Sequence, residues 1–88
     1  MNAEKRIKEI IEEVQDLLLA KNRQYGNSAL QPIGVFANGS AKELIQIRID
    51  DKLNRLMQGD DTIEADEDIV KDLIGYFVLL LITMRDEE

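Results

Sequence analysis

The sequence has no cysteine, no histidine and a single proline among its 88 residues. Without cysteine there is no disulfide framework and no zinc–thiolate site. Without histidine there is no Ser-His or Cys-His nucleophile and no imidazole metal ligand. Any catalysis must therefore rest on carboxylates, lysine, tyrosine and hard metal ions. Long hydrophobic runs are missing too. The longest predominantly apolar stretch, residues 73–84, has twelve residues, whereas a membrane span needs about 20. Residues 1–12 are charged throughout and lack the apolar core of a signal peptide. A cytoplasmic protein without a membrane partner is expected. Positive charge is in deficit: the formal net charge is −7, which argues against duplex nucleic acid and anionic membrane.

What is present is a 44% hydrophobic chain, ordinary for a globular protein and too apolar for bulk disorder. At this length one domain is expected, covering residues 1–88. It would bury only about 60–65% of its unfolded surface, so an isolated monomer is marginal.

Three helices are predicted. The first covers residues 3–23, with Asn2 as N-cap. Ile7, Ile10, Ile11, Val14, Leu17 and Leu18 recur at the three-and-four spacing of an amphipathic face. The second opens with Ser40-Ala41-Lys42-Glu43, a capping box, and runs to about Met57 before stopping at Gly59. Its core stripe is Ile45, Ile49, Leu53 and Leu56. The third starts between Thr62 and Asp66 and runs to about Arg85. Its second half is apolar on every side, which implies enclosure. Two partner helices cannot enclose it fully, so a homo-oligomer is expected, most simply a dimer pairing third helices.

Between the first two helices lies a connection over residues 26–40. It holds Gly26, Gly34, Gly39, the only proline and an Asn38-Gly39 turn signal. A loop of this length in so small a domain is unusual and often functional. Its Leu30, Ile33, Val35 and Phe36 support two readings, a flap over a ligand or a loop folding onto the end of the bundle.

Glu64, Asp68 and Asp72 lie four apart and span about 80° of a helix circumference. Like charges so placed repel. A hard cation such as Mg²⁺ would relieve them, and so would the helix macrodipole near an N-terminus. On the second helix, Arg48, Asp51, Lys52 and Arg55 fall within about 100°, and Lys52 borders the apolar stripe. A lysine there needs an anion. The acidic ladder would make a salt-bridge layer, and a phosphate would make a binding site with Arg48 or Arg55. At the end of the first helix, Tyr25 can stack on a base or simply pack, and Asn27 can read base edges.

The run Lys21-Asn22-Arg23-Gln24-Tyr25-Gly26-Asn27-Ser28 is followed by Arg48-Ile49-Asp50-Asp51-Lys52-Leu53-Asn54-Arg55-Leu56. Glu64, Asp68 and Asp72-Leu73-Ile74-Gly75-Tyr76 come next. This order resembles the nucleotide modification associated domain of type one. That family, common in phages and prophages, is a branch of the all-α MazG-like nucleotide pyrophosphohydrolase group. The resemblance covers residues 21–82. It implies an all-α bundle that oligomerises, and Mg²⁺ held by Asp51, Glu64, Asp68 and Asp72. It implies cleavage of a nucleoside triphosphate to monophosphate and pyrophosphate. Asp72 or Glu64 would orient the attacking water, and Lys52 and Arg55 would neutralise the phosphates. Tyr25, Gly26 and Asn27 match the loop entry, where the base or sugar of the nucleotide would be held. Two positions depart from the pattern. Gln24 stands where an acid often precedes Tyr-Gly, and the Glu-Glu-x-x-Glu run of the group is reduced to Glu43, Gln46 and Ile47. A chain short of metal ligands would bind and sequester a nucleotide, or a nucleotide-derived signal, without hydrolysing it. A structural helical interaction protein is the third expectation.

Overall fold

A computed structural model describes residues 2–87 of the chain. All the regular structure among them is helical: α1 (Ala3–Gln24), α2 (Ala41–Gln58) and α3 (Asp66–Asp86). The capping chemistry decides where α1 and α2 begin. The Asn2 side chain accepts the Lys5 amide at 3.3 Å. Ser40 Oγ accepts the Glu43 amide at 3.2 Å, while Glu43 returns a carboxylate oxygen to the Ser40 amide at 3.3 Å. Both satisfy donors that a helix start leaves without partners. Gly59 ends α2 at φ +70, a left-handed angle that costs glycine nothing. Ala65 offers α3 no side-chain cap, and Asp66, Glu67 and Asp68 in its first turn complement the dipole instead.

The core lies between α2 and α3. Ile45 and Ile49 meet Ile69, Leu73 and Leu79, with Leu18, Leu30, Leu56 and Leu80 packed around them. Ile45 and Ile69 are each only 1% exposed, and truncating either to alanine would cost about 2–5 kcal/mol. Leu53, expected in the stripe of α2, remains 41% exposed.

Helix α1 is attached differently. Of its predicted apolar face only Val14 is buried, and Ile7, Ile10 and Ile11 are 47–61% exposed. On α3, Phe77, Val78, Leu81 and Met84 are 43–52% exposed. The expectation that two partner helices cannot enclose this segment thus holds for the single chain. No described helix is long and apolar enough to cross a membrane.

The α1–α2 connection divides in two. Residues 25–31 form tight turns, with Gly26 and Asn27 both left-handed at φ +58 and +64, and they carry Ala29 and Leu30 onto the core. Farther on, Ile33, Val35 and Phe36 project into solvent, Phe36 at 99% exposure. The loop therefore covers the bundle with Leu30 and leaves its other three apolar side chains uncovered. Gly34, not Gly39, adopts the left-handed angle in this stretch.

Candidate functional site

Five charged residues from the three helices and the α2–α3 connection assemble into one alternating chain. Lys21, in the last turn of α1, reaches Asp72 Oδ1 at 2.7 Å. The other oxygen of Asp72 meets Lys52 Nζ at 2.9 Å. Lys52 also donates to both oxygens of Glu64, at 3.0 and 3.1 Å. Arg55 closes the chain on Glu64 at 3.6 Å. Five side chains thus alternate in sign and tie α1, α2, α3 and the α2–α3 connection together.

Burial makes this arrangement matter. The Lys52 and Asp72 side chains are 11% and 14% exposed, and a charge that deep needs partners. Burial pushes the Lys52 ammonium down, but its bonds to Asp72 and Glu64 outweigh that and hold it above the ordinary lysine range. Burial likewise pushes the Asp72 carboxyl up, and its bonds to Lys21 and Lys52 overcome this and hold it below the ordinary range. Both groups are charged at neutral pH.

The predicted acidic ladder takes a different form. Helix α3 begins at Asp66, so Glu64 lies outside it and folds back to Lys52. Asp68 and Asp51 are exposed and stand outside the ion-pair chain. Among the described residues no three carboxylates are gathered as a metal site. Mg²⁺ wants carboxylate oxygens free to enter an octahedral shell at about 2.0–2.1 Å. Glu64 and Asp72 already face an ammonium group, so the arrangement fits lysine and does not fit the ion.

Beside Lys21 and Asp72 a cleft of about 390 Å³ opens between α1 and α3. Val14, Leu17, Leu18 and Leu79 form its apolar wall. Gly75 on α3 also lines it, and a Cβ there would stand 3.3 Å from Leu18 Cδ1. Tyr25 and Tyr76 bring two aromatic rings, and Asn22 and Ser28 bring neutral polar groups. Three cations line it, Lys21, Arg48 and Lys71. Lys71 is paired with Glu13 at 2.6 Å, whereas Arg48 has no carboxylate partner among the described residues.

Of the residues expected to hold a ligand, Tyr25 and Arg48 line this cleft. Asn27 does not, but it accepts the Asn22 side-chain amide at 2.6 Å and so fixes a residue that does. Lys52 and Arg55 do not line the cleft and belong to the ion-pair chain. Sequence reasoning missed Lys71 and Tyr76. Each lies on the Asp68–Asp72–Gly75–Leu79 side of α3, and that spacing was the available signal.

Comparison with protein-family models, curated proteins and solved structures returns no match. The functional reading therefore stands on the cleft and on the sequence resemblance.

Proposed function

We propose that the chain binds a nucleotide in the α1–α3 cleft and retains it without hydrolysis. The observation that carries this reading is the composition of the cleft: an apolar wall, two tyrosines and three cations against one carboxylate, Asp72, on a protein of net charge −7. Its volume falls in the usual range for small-molecule sites, about 300–1,000 Å³. The rings of Tyr25 and Tyr76 offer a base a stacking surface. Arg48, with its fork of donors, suits a phosphate.

The resemblance to the MazG-like group supports a nucleotide as the ligand and self-association as the quaternary habit. The exposed apolar faces of α1 and α3 support the second point, because single-chain burial leaves them uncovered. The match of Glu64 and Asp72 to Lys52 favours retention over hydrolysis, since the carboxylates that would hold Mg²⁺ and orient water are engaged.

The test is a thermal-shift and calorimetric screen of the purified protein against nucleotides, together with mass spectrometry of any co-purified ligand. Wild type should bind, and Tyr25→Ala and Arg48→Ala should weaken binding with helicity unchanged. Release of pyrophosphate from a triphosphate in Mg²⁺ would establish the hydrolase instead.

A further inference from the structure

We infer that the cleft takes the metal-free phosphate monoester form of its nucleotide, a nucleoside monophosphate, in preference to a magnesium-bound triphosphate. The inference rests on the nucleotide reading above and names the phosphate count.

The charge arithmetic of the cleft is specific. Arg48 is unpaired among the described residues, so it offers one positive charge outright. Lys71 is committed to Glu13 at 2.6 Å. Lys21 is bound to Asp72, but on only one of the two carboxylate oxygens, and Lys52 holds the other at 2.9 Å. When Lys21 turns to an incoming anion, Asp72 keeps a counter-charge. Lys21 is also the more exposed of the two lysines, its side chain 40% exposed against 11% for Lys52. The cleft therefore supplies two positive charges without leaving a buried carboxylate bare. A phosphate monoester carries about −1.5 to −2 near neutral pH, which those two charges balance.

A triphosphate carries roughly four negative charges and ordinarily reaches a protein with Mg²⁺ bridging its outer phosphates. The surplus would have to be met by the ion, and the ion by carboxylates. Among the described residues no carboxylate group is gathered for it, and the rest of the chain, at net −7, repels the excess. Leu17, Leu18 and Leu79 in the same cleft suit a base and sugar, with the phosphate at Arg48 and Lys21.

The experiment is titration calorimetry of wild type with 5′-mono-, di- and triphosphates of the four common bases, each in EDTA and in Mg²⁺. A monophosphate is expected to bind with the same affinity, within about twofold, in both buffers. It should exceed the matching triphosphate and the bare nucleoside by about tenfold or more. Arg48→Met and Lys21→Met should each weaken the monophosphate about tenfold, as expected for one charge-assisted bond. Arg48 is exposed and unpaired, so its variant tests the idea even if Lys21→Met folds poorly. A triphosphate that binds as tightly as the monophosphate, or binds best with Mg²⁺, overturns the phosphate count and leaves nucleotide binding standing. No binding by any nucleotide in either buffer overturns both.

Discussion

Lys52 Nζ and Asp72 Oδ2 lie 2.9 Å apart across the α2–α3 interface, and Lys21 holds the second oxygen of the same carboxylate at 2.7 Å. One carboxylate thus fastens two other helices to α3. Removing the central ammonium leaves Glu64 with only the 3.6 Å contact of Arg55 and leaves one oxygen of Asp72 unmatched. Lys52→Met is expected to destabilise the fold by about 2–3 kcal/mol, somewhat less than a fully enclosed pair would lose, because Glu64 is 29% exposed. Asp72→Asn should cost less, because Lys52 retains Glu64. Urea midpoints for the two variants and wild type give the order.

The same pair sets the pH window. The Asp72 carboxyl is held below its ordinary value, so the folded state binds its proton less readily than the unfolded one. Its contribution is complete above the unfolded value of about 3.9 and is lost as pH falls through the folded value. The Lys52 ammonium is held above its ordinary value. Its contribution is complete below about 10.4 and is lost as pH rises through the folded value. Stability should therefore be level from about pH 5 to 10 and fall on both sides. Thermal melts of Asp72→Asn should show a shallower acid limb than wild type; identical limbs would remove Asp72 as the cause.

Much of this was legible in the sequence because it is local. The Asn2 cap, the Ser40–Glu43 box and Gly59 are short-range signals, and each lies where the structure uses it. Lys52 beside the stripe of Ile45, Ile49 and Leu56 announced a buried cation in need of an anion. The choice of anion was not local. Glu64 was expected on α3, in line with Asp68 and Asp72, and the absence of a side-chain cap before Asp66 gave no fixed start for that helix. Once Glu64 falls outside the helix, wheel spacing no longer governs it and it meets Lys52 by chain reversal. The cleft was hidden for the same reason. Val14 and Leu79 are separated by most of the chain, and nothing in either helix alone states how α1 crosses α3.

Gly75 offers a separation of stability from binding. It sits in the middle of α3 and in the wall of the cleft. Alanine there gains about 1 kcal/mol of helix propensity, opposed by a 3.3 Å approach to the end of the flexible Leu18 side chain. Leu18 can give by a few tenths of an ångström, so Gly75→Ala should stabilise by about 0.5 kcal/mol, or a few degrees in Tm for a domain of this size. Gly75→Leu would fill the cleft and abolish nucleotide binding. Tm and calorimetry on the two variants should diverge.

The uncovered faces of α1 and α3 call for a partner surface. Phe77 and Leu81 lie four apart on α3 and are 52% and 47% exposed. The expected partner is a second copy, because each chain carries the same unfilled faces. Light scattering at micromolar concentration should give a mass above the 10.1 kDa of one chain. Leu81→Glu should lower the mass with helicity preserved, since Leu81 is not part of the buried core. A wild-type mass near 10 kDa would end the argument for self-association.

The solvent-facing segment with Ile33, Val35 and Phe36 gives a further expectation. Three apolar side chains at 67–99% exposure are costly in water, at about 25 cal/mol per Å² of apolar surface. They stand a few residues beyond Ser28 and Ala29, which line the cleft. Closure over a bound nucleotide would bury them. Amide exchange across residues 32–38 should slow when nucleotide is added, and Phe36→Ser should reduce that protection while leaving the melting temperature of the unliganded protein within a degree or two. Equal exchange with and without a demonstrably bound nucleotide would reject the flap.

The last expectation separates an ion-pair network from a metal site. Asp68 stands in the first turn of α3, exposed and outside the Lys52 network. Its part in the fold is its position at the positive end of the helix dipole, worth about 0.3–1 kcal/mol. Neutralising it also removes repulsion with its acidic neighbours, a few tenths of a kcal/mol in the other direction. Asp68→Asn should therefore shift stability by under about 1 kcal/mol. Wild type and variant should melt at the same temperature with and without millimolar Mg²⁺. Were the ion a ligand, each tenfold rise in its concentration above Kd would add about 1.4 kcal/mol, several degrees in a domain this small, and Asp68→Asn or Asp72→Asn would abolish the gain. One reading predicts no Mg²⁺ response and the other a stabilising one, so one titration of wild type and both variants decides between them.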